Sequence, residues 1–505
     1  MTLQHRLSLL TDDRLRGMRR GIEKESLRTT PDAGLALTPH PRALGSALTH
    51  PHITTDFSES QIELVTGAFT RVEDVLGQLT ELHQVVARAI GEERLWVSSM
   101  PCCLPSEEGI PLGQYGRSHI GRTKTVYRSG LSHRYGRRMQ TISGIHYNWS
   151  LPGLGNDEHF HLIRNFRRHS FLLLWLFGAS PAVCASFVEG LPHGLEPLGP
   201  GSLHGPHATS LRMGRLGYQS DAQASLAVSY NGLEGYGATL EQALTREWPA
   251  YEAIGTADGA GGHRQLNTHL LQIENEFYGT IRPKRTIRPG ERPLHALRQR
   301  GVEYVEVRCM DLDPFETLGI GADTARLIDL FLLHCLLADS PPDHPDEIAA
   351  LGRNQQRVAH RGREPGLRLE RGGAEVAIED WLAELLDGLA PIAARLDTVW
   401  GDRAYGGALA AARAALADPS RLPSARLLDE ARTLWRGEFT AMIAAMSQAA
   451  RRSLLGQPLP IERSLHWAAL AARSLQEQDE IEAGDQGSYE DFLAAYLDPA
   501  RLTPA

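Results

Sequence analysis

Three strings along this chain set carboxylates at every second position of strand-like sequence. Arg20–Ser26 reads Arg-Gly-Ile-Glu-Lys-Glu-Ser, Thr55–Thr66 carries Glu59, Gln61 and Glu63 behind Asp56, and Val302–Arg308 reads Val-Glu-Tyr-Val-Glu-Val-Arg. Strand side chains alternate faces, so Glu23 shares a face with Glu25, and Glu306 with Arg308. A chain with this pattern builds a sheet with one strongly charged surface.

Such a surface has two physical uses. A Glu-x-Glu strand is the ordinary solvated face of an antiparallel sheet. In a sheltered cleft the same carboxylates repel one another, their pKa values rise, and a multivalent cation relieves them. His146-Tyr147-Asn148-Trp149-Ser150 adds a fourth strand-like run that includes a histidine, and the accumulation of such runs favours the cleft. Oxygen donors without thiolate suit Mg²⁺ or Mn²⁺ rather than zinc, and the phosphates of a nucleotide are the matching partner.

The totals narrow the class. A length of 505 residues predicts two or more domains or subdomains. A net charge of -9 gives no basic footprint for nucleic acid. The opening Met-Thr-Leu-Gln-His-Arg-Leu holds no secretory signal, and the longest apolar run, Phe171–Phe177, is too short for a bilayer, so a cytoplasmic protein without a membrane partner is expected. Five scattered cysteines fit a reduced compartment, with a vicinal Cys102–Cys103 disulfide as the alternative.

Helical spacing predicts a helix over Val72–Glu93, and residues 96–130 read as a loop carrying Arg117, Arg122, Lys124 and Arg128. Strand character returns over Met139–Pro152, a helix follows over Phe160–Gly178, and His193, His204 and His207 read as loop residues. Leu266–Tyr278 and Val302–Val307 read as strands, and between them Lys284 and Arg285 are candidates for holding nucleotide phosphates. Beyond Asp313-Pro314 helical spacing covers Asp323–Asp339, Asp346–Arg361, Ile378–Asp397, Tyr405–Asp418 and Leu427–Leu455, with Pro391 as a break and Ser488 opening a last short helix. The expectation is an α+β chain, with a catalytic core over 1–340 and a helical part over 341–505 packed on it.

With these strings placed, the sequence resembles the bacterial glutamate–cysteine ligases of the proteobacterial type. The resemblance rests on Arg19–Arg28, Ala43–His50, Ile53–Phe57, Met139–Asn148, Leu271–Glu276, Ile281–Arg285 and Glu303–Arg308, in the family's order. It implies a glutamine-synthetase-like core, in which a curved antiparallel sheet forms a funnel with helices packed outside. It also implies ATP as co-substrate and more than one Mg²⁺ or Mn²⁺, with Glu23, Glu25, Asp56, Glu63, His146 and Glu306 as ligands.

Carried over position by position, Phe57, Tyr127, Arg128, Gln140, Ile142, Tyr218 and Tyr278 match the cysteine pocket. Arg212 and Arg308 match arginines near glutamate and the transferred phosphoryl group, and together with Glu306 they are the catalytic candidates. The implied reaction phosphorylates the γ-carboxylate of L-glutamate and then admits the amine of L-cysteine, giving γ-glutamylcysteine, ADP and phosphate. A monomer inhibited by glutathione is expected. The residues leave the general base open between Asp56 and a phosphate oxygen. A γ-glutamyl ligase for another amine and a catalytically inactive nucleotide-binding homologue are the alternatives.

Overall fold

Alternation of the kind read in the sequence yields β1 (Arg19–Thr29), β2 (Ile53–Thr55), β3 (Gln61–Val65), β4 (Arg94–Leu95) and β5 (Ile145–Ser150). Further along come β6 (Ala182–Cys184), β7 (Glu196–Gly199), β8 (Ser202–His204), β9 (Ile281–Lys284), β10 (Tyr304–Met310), β11 (Arg368–Arg371) and β12 (Ala374–Ala377). The structure is a computed structural model describing residues 2–217, 221–224, 226, 228–259, 261–288 and 290–503. Its main sheet runs β2-β3-β1-β5-β10-β9, antiparallel throughout, with β4 paired to the far end of β1. The sheet is open, and the mixed α+β class with a helical C-terminal third is the one expected from sequence.

Register decides which side chains meet. Glu23 stands opposite both Val65 and His146, Glu25 opposite Glu63, and Glu306 opposite both Asn148 and Arg282. One face therefore gathers the charged residues of four neighbouring strands. The other presents Ile22, Ile62, Leu64, Ile145, Tyr147, Trp149, Val305 and Val307, all buried. Burying each such side chain contributes roughly 1.5–3 kcal/mol, which fixes the pleat and forbids a one-residue slip.

Helix Val72–Ala89 covers that apolar face with Val75, Leu79, Leu82 and Val86 at helical spacing. Helix Ala322–Leu337 is buried almost all round. A single apolar cluster extends from Leu7 to Leu502 and includes strand residues together with Trp381, Leu389, Leu409 and Trp467 from the C-terminal helices. Among the described residues no helix is long and apolar enough to cross a membrane.

Several segments differ from the sequence expectation. Residues His119–Tyr135 form a helix rather than a loop; it has no strong apolar stripe to reveal it, and Ser118 caps it by accepting from the Gly121 amide at 3.2 Å. Leu266–Tyr278 is not a strand, because side chains take its amides: Leu266 N donates to Gln272 Oε1 at 3.0 Å and Gln272 N to Glu276 Oε2 at 2.7 Å. The Phe160–Gly178 helix is two helices, Asn156–His169 and Phe171–Phe177, meeting at Ser170. The span 427–455 breaks where Arg436 adopts φ 51° before Gly437. Pro391 lies inside helix Ile378–Trp400, where packing of Leu389, Ile392, Ala393 and Leu396 outweighs a proline cost of about 3 kcal/mol. Helix Ile461–Gly484 and the β11–β12 hairpin lie outside the sequence expectation altogether.

Charge is also buried on the apolar face. Lys24 Nζ meets Ser26 Oγ at 2.8 Å and His83 Nε2 at 2.9 Å, while His83 Nδ1 faces the Leu79 carbonyl at 2.7 Å. Burial, reinforced by Lys24, holds His83 well below the usual histidine range. It is neutral when folded and takes a proton below about pH 6.5 when unfolded, so stability falls as pH drops through that value. Replacing His83 by Gln is expected to flatten this acid limb. Urea unfolding at pH 7 and pH 5 should show the native protein losing up to about 2 kcal/mol more than the variant, and equal losses would refute it.

Candidate active site

On the polar face, His146 Nδ1 lies 3.3 Å from Glu23 Oε2 and 3.8 Å from Glu306 Oε1, and its Nε2 lies 3.7 Å from Glu25 Oε1. Asn148 Nδ2 donates to Glu23 Oε1 at 2.8 Å. Lys284 Nζ is 3.2 Å from Glu306 Oε1, and Arg308 Nη1 is 3.1 Å from its Oε2. Arg285, in contrast, donates to the Arg300 and Gly301 carbonyls.

The carboxylates divide by their surroundings. Burial opposes charge on Glu306, but Lys284 and Arg308 overcome it and hold the group well below the ordinary range. Burial likewise opposes charge on Glu23, and the hydrogen bond with His146 helps to bring it below its usual value. Glu25 goes the other way, pushed up to about 8 by burial and then by Asp56, against the pull of Arg212 and the Gly144 amide. Glu63 rises well above the ordinary range through burial, Asp56, Glu23 and Glu25. His146 is depressed by burial and Arg308.

Two carboxylates are thus ready to be ionised and two resist it until positive charge arrives. Ligand atoms of Glu23, His146 and Glu306 lie within 4.8 Å of one another, and oxygen donors dominate the set. Such a group fits a hard divalent cation.

Arg212 closes the far side. Its guanidinium donates to the Arg308 carbonyl at 2.9 Å and approaches Asp311 Oδ1 at 3.9 Å, and Asp311 in turn accepts from Ser180 and Ser210. Gly144 separates Arg212 from Glu25, whose Oε2 accepts from its amide at 2.7 Å. A Cβ on Gly144 would lie 2.0 Å from Arg212 Nη2. Gly144→Ala is therefore expected to push the guanidinium aside and lower turnover by about 10²-fold, since a displacement of about 1 Å costs that much. Steady-state rates check it, and a variant within threefold of the native enzyme would show that Arg212 needs no such seat.

Of the remaining candidates, Tyr278 lines the cleft beside Arg212 and Arg308. Gln140 Nε2 donates to Tyr278 Oη at 2.7 Å, and the Ile142 carbonyl accepts from Gln61 Nε2 at 3.2 Å. Arg128 donates through Nε to the Asp56 carbonyl and lies over the Tyr115 ring, 4.5 Å from its centre. Asp56 is half-buried near enough to Glu25 and Glu63 to raise both. Phe57 is buried with Tyr127 packed against its cluster. Tyr218 lies outside the described residues. A cleft of about 670 Å³ opens between Arg212, Tyr278 and Arg308 on one side and helix Pro345–Arg361 on the other.

Sequence reasoning did not assign roles to Asn148, Gly144 or Asp311. Asn148 was within reach, because it follows His146 at period two. Gly144 and Asp311 act through contacts with Glu25 and Arg212 that join segments far apart in sequence.

An open antiparallel sheet with clustered carboxylates flanked by lysine and arginine is the arrangement of a ligase that handles phosphoryl groups. The family model for glutamate-cysteine ligase matches residues 7–358. Glutamate–cysteine ligases from Alcanivorax borkumensis and Pseudomonas aeruginosa PAO1 are each 48% identical, covering 96% of this chain and 96% of the former, and 94% of this chain and 93% of the latter. The chain belongs to the glutamate–cysteine ligase family. A crystal structure of the Francisella tularensis glutamate–cysteine ligase in complex with AMP superposes with a TM-score of 0.90 at 35% identity, over 96% of this chain and 98% of that one. The fold is shared with a bifunctional glutathione synthetase from Pasteurella multocida (TM-score 0.72, 24% identity, 93% of this chain and 58% of that one).

Proposed function

We propose that this protein joins the γ-carboxylate of L-glutamate to the amine of L-cysteine with cleavage of ATP, giving γ-glutamylcysteine, ADP and phosphate, the first step of glutathione biosynthesis. The observation that carries the reading is the set of Glu23, Glu25, Glu63, His146 and Glu306 on one sheet face beside Lys284 and Arg308, in a chain of this family. A carboxylate is a poor acyl donor, because its leaving group would be oxide. Phosphorylation turns that oxygen into a leaving group, and the amine then attacks.

Phosphoryl transfer asks for positioning and charge neutralisation more than covalent chemistry. Mg²⁺ or Mn²⁺, more than one ion, would be held by Glu23, Glu25, Asp56, Glu63, His146 and Glu306, and would supply charge neutralisation at the phosphates. Lys284 and Arg308 add fixed positive charge on the same side, and Arg308 is a donor for the oxyanion formed when the amine adds. Arg212 holds glutamate. The acceptor pocket is made by Phe57, Tyr127, Arg128, Gln140, Ile142, Tyr278 and Tyr218. Asp56 is a candidate to take the amine's proton. The division into a core over 1–340 and a buttressing part over 341–505, a cytoplasmic monomer, and inhibition by glutathione across both amino-acid pockets belong to the same proposal.

ADP release from MgATP should require glutamate and cysteine together, and release unaffected by omitting cysteine would refute the reaction. Gln140→Ala is expected to raise the KM for cysteine by about tenfold with little change for glutamate, the ~1.4 kcal/mol of one lost hydrogen bond. Equal effects on both substrates would move the acceptor pocket elsewhere.

A further inference from the structure

Cys103 and Cys184 are 81 positions apart in sequence, yet their Sγ atoms stand 3.6 Å from each other. Backbone contacts fix that approach from both sides. The Cys103 amide donates to the Ala33 carbonyl at 3.1 Å and its carbonyl accepts from Leu35 at 3.2 Å. The next amide, Leu104, donates to Ser186 Oγ at 3.1 Å, and that oxygen lies 3.2 Å from Cys184 Sγ. Cys103 is exposed, with Cys184 buried beneath it. Cys102 is fully buried in an apolar cluster with Leu27 and Phe57, and the sulfur that Cys103 meets is that of Cys184 rather than its vicinal neighbour.

A disulfide requires the sulfurs to close from 3.6 Å to about 2.05 Å, a movement of roughly 1.5 Å. The pair is also chemically primed. The two thiols contact each other with either able to donate, and Ser186 Oγ adds a second contact to Cys184; these contacts draw the Cys184 thiol below the ordinary thiol range.

We propose that Cys103 and Cys184 form a modification site that is oxidised to a disulfide by exchange with low-molecular-weight disulfides, the oxidised form of the thiol class to which the product belongs. Only the last clause rests on the proposed reaction. In the exchange a protein thiolate attacks one sulfur of the small disulfide, breaking its S–S bond and releasing one small thiol. The other protein sulfur then attacks the mixed disulfide and releases the second. Two protein S–H bonds and one S–S bond are lost, and one protein S–S bond and two small-molecule S–H bonds are formed, so protons and electrons balance. The bridge ties β6 to segment 101–104. Ser180, two residues before β6, donates to Asp311 at 2.6 Å beside Arg212, so the bridged strand leads directly to the catalytic wall.

The test incubates the full-length protein with 2-hydroxyethyl disulfide, alkylates the remaining thiols and maps peptides by mass spectrometry. Alkylation of Cys103 and Cys184 should fall together by about tenfold or more, with a linked peptide pair that dithiothreitol releases. Cys184→Ser should instead keep a lasting mixed disulfide on Cys103, Cys103→Ser should form no bridge, and Cys102→Ser should behave as the native protein. A persistent mixed disulfide on Cys103 in the native protein, a Cys102–Cys103 link, or undiminished alkylation of both sulfurs would overturn the proposal. ADP release by the reduced protein tests the reaction separately, so failure of either is read independently.

Discussion

Glu306→Ala is expected to lower ADP release by about 10³-fold, equivalent to ~4 kcal/mol of lost transition-state stabilisation. Glu306 is the carboxylate on which the site's charges converge: Lys284 at 3.2 Å, Arg308 at 3.1 Å and His146 at 3.8 Å all face it. Its removal leaves three cationic or potentially cationic groups facing one another, and it also deletes an oxygen from the set that fits a divalent ion. The divalent-ion concentration needed for half-maximal residual activity should therefore rise as well. Glu306→Gln separates the two effects, because it keeps the volume and one neutral oxygen while removing the charge. A Glu306→Ala enzyme within tenfold of the native rate would take Glu306 out of the reaction and leave it as a partner for Lys284 and Arg308.

The largest stability effect belongs on the opposite face. Arg20 Nη2 lies 3.0 Å from Asp329 Oδ2, both side chains are fully buried, and Asp329 also accepts from Tyr147 Oη at 3.0 Å and Tyr405 Oη at 3.1 Å. One carboxylate thereby joins β1, β5, helix Ala322–Leu337 and helix Ala404–Ala417. Asp329→Ala strands the Arg20 charge and two tyrosine hydroxyls away from water, and it is expected to cost ~3–5 kcal/mol. Equilibrium urea unfolding measures it, with Asp329→Asn as the milder variant that keeps an acceptor for the tyrosines. A loss below ~1 kcal/mol for Asp329→Ala would mean that water reaches Arg20.

Much of the site was legible because period-two alternation survives in the sequence. Glu23, Glu25, Glu63, His146, Glu306 and Arg308 each sit on a strand whose pattern could be read locally, and antiparallel pairing then brings those strands side by side. Helix His119–Tyr135 was hidden because its buried positions are Gly121, Thr123 and Gly130 with Val126 and Leu131, too few large apolar residues to mark a stripe. The seat of Arg212 was hidden for another reason: Gly144, Asp311 and Ser180 meet it from three separated segments, and no local pattern encodes such a meeting. Arg285 shows the limit of reading charge by itself, for its guanidinium stabilises the end of helix Pro293–Arg300 by bonding its last carbonyls.

Because Tyr405 and Asp329 close on Arg20 behind β1, the nascent chain leaving the ribosome cannot finish that layer until helix Ala404–Ala417 has emerged. Through most of translation the back of the sheet lacks its full cover, and exposed apolar strands in that state are prone to pair wrongly.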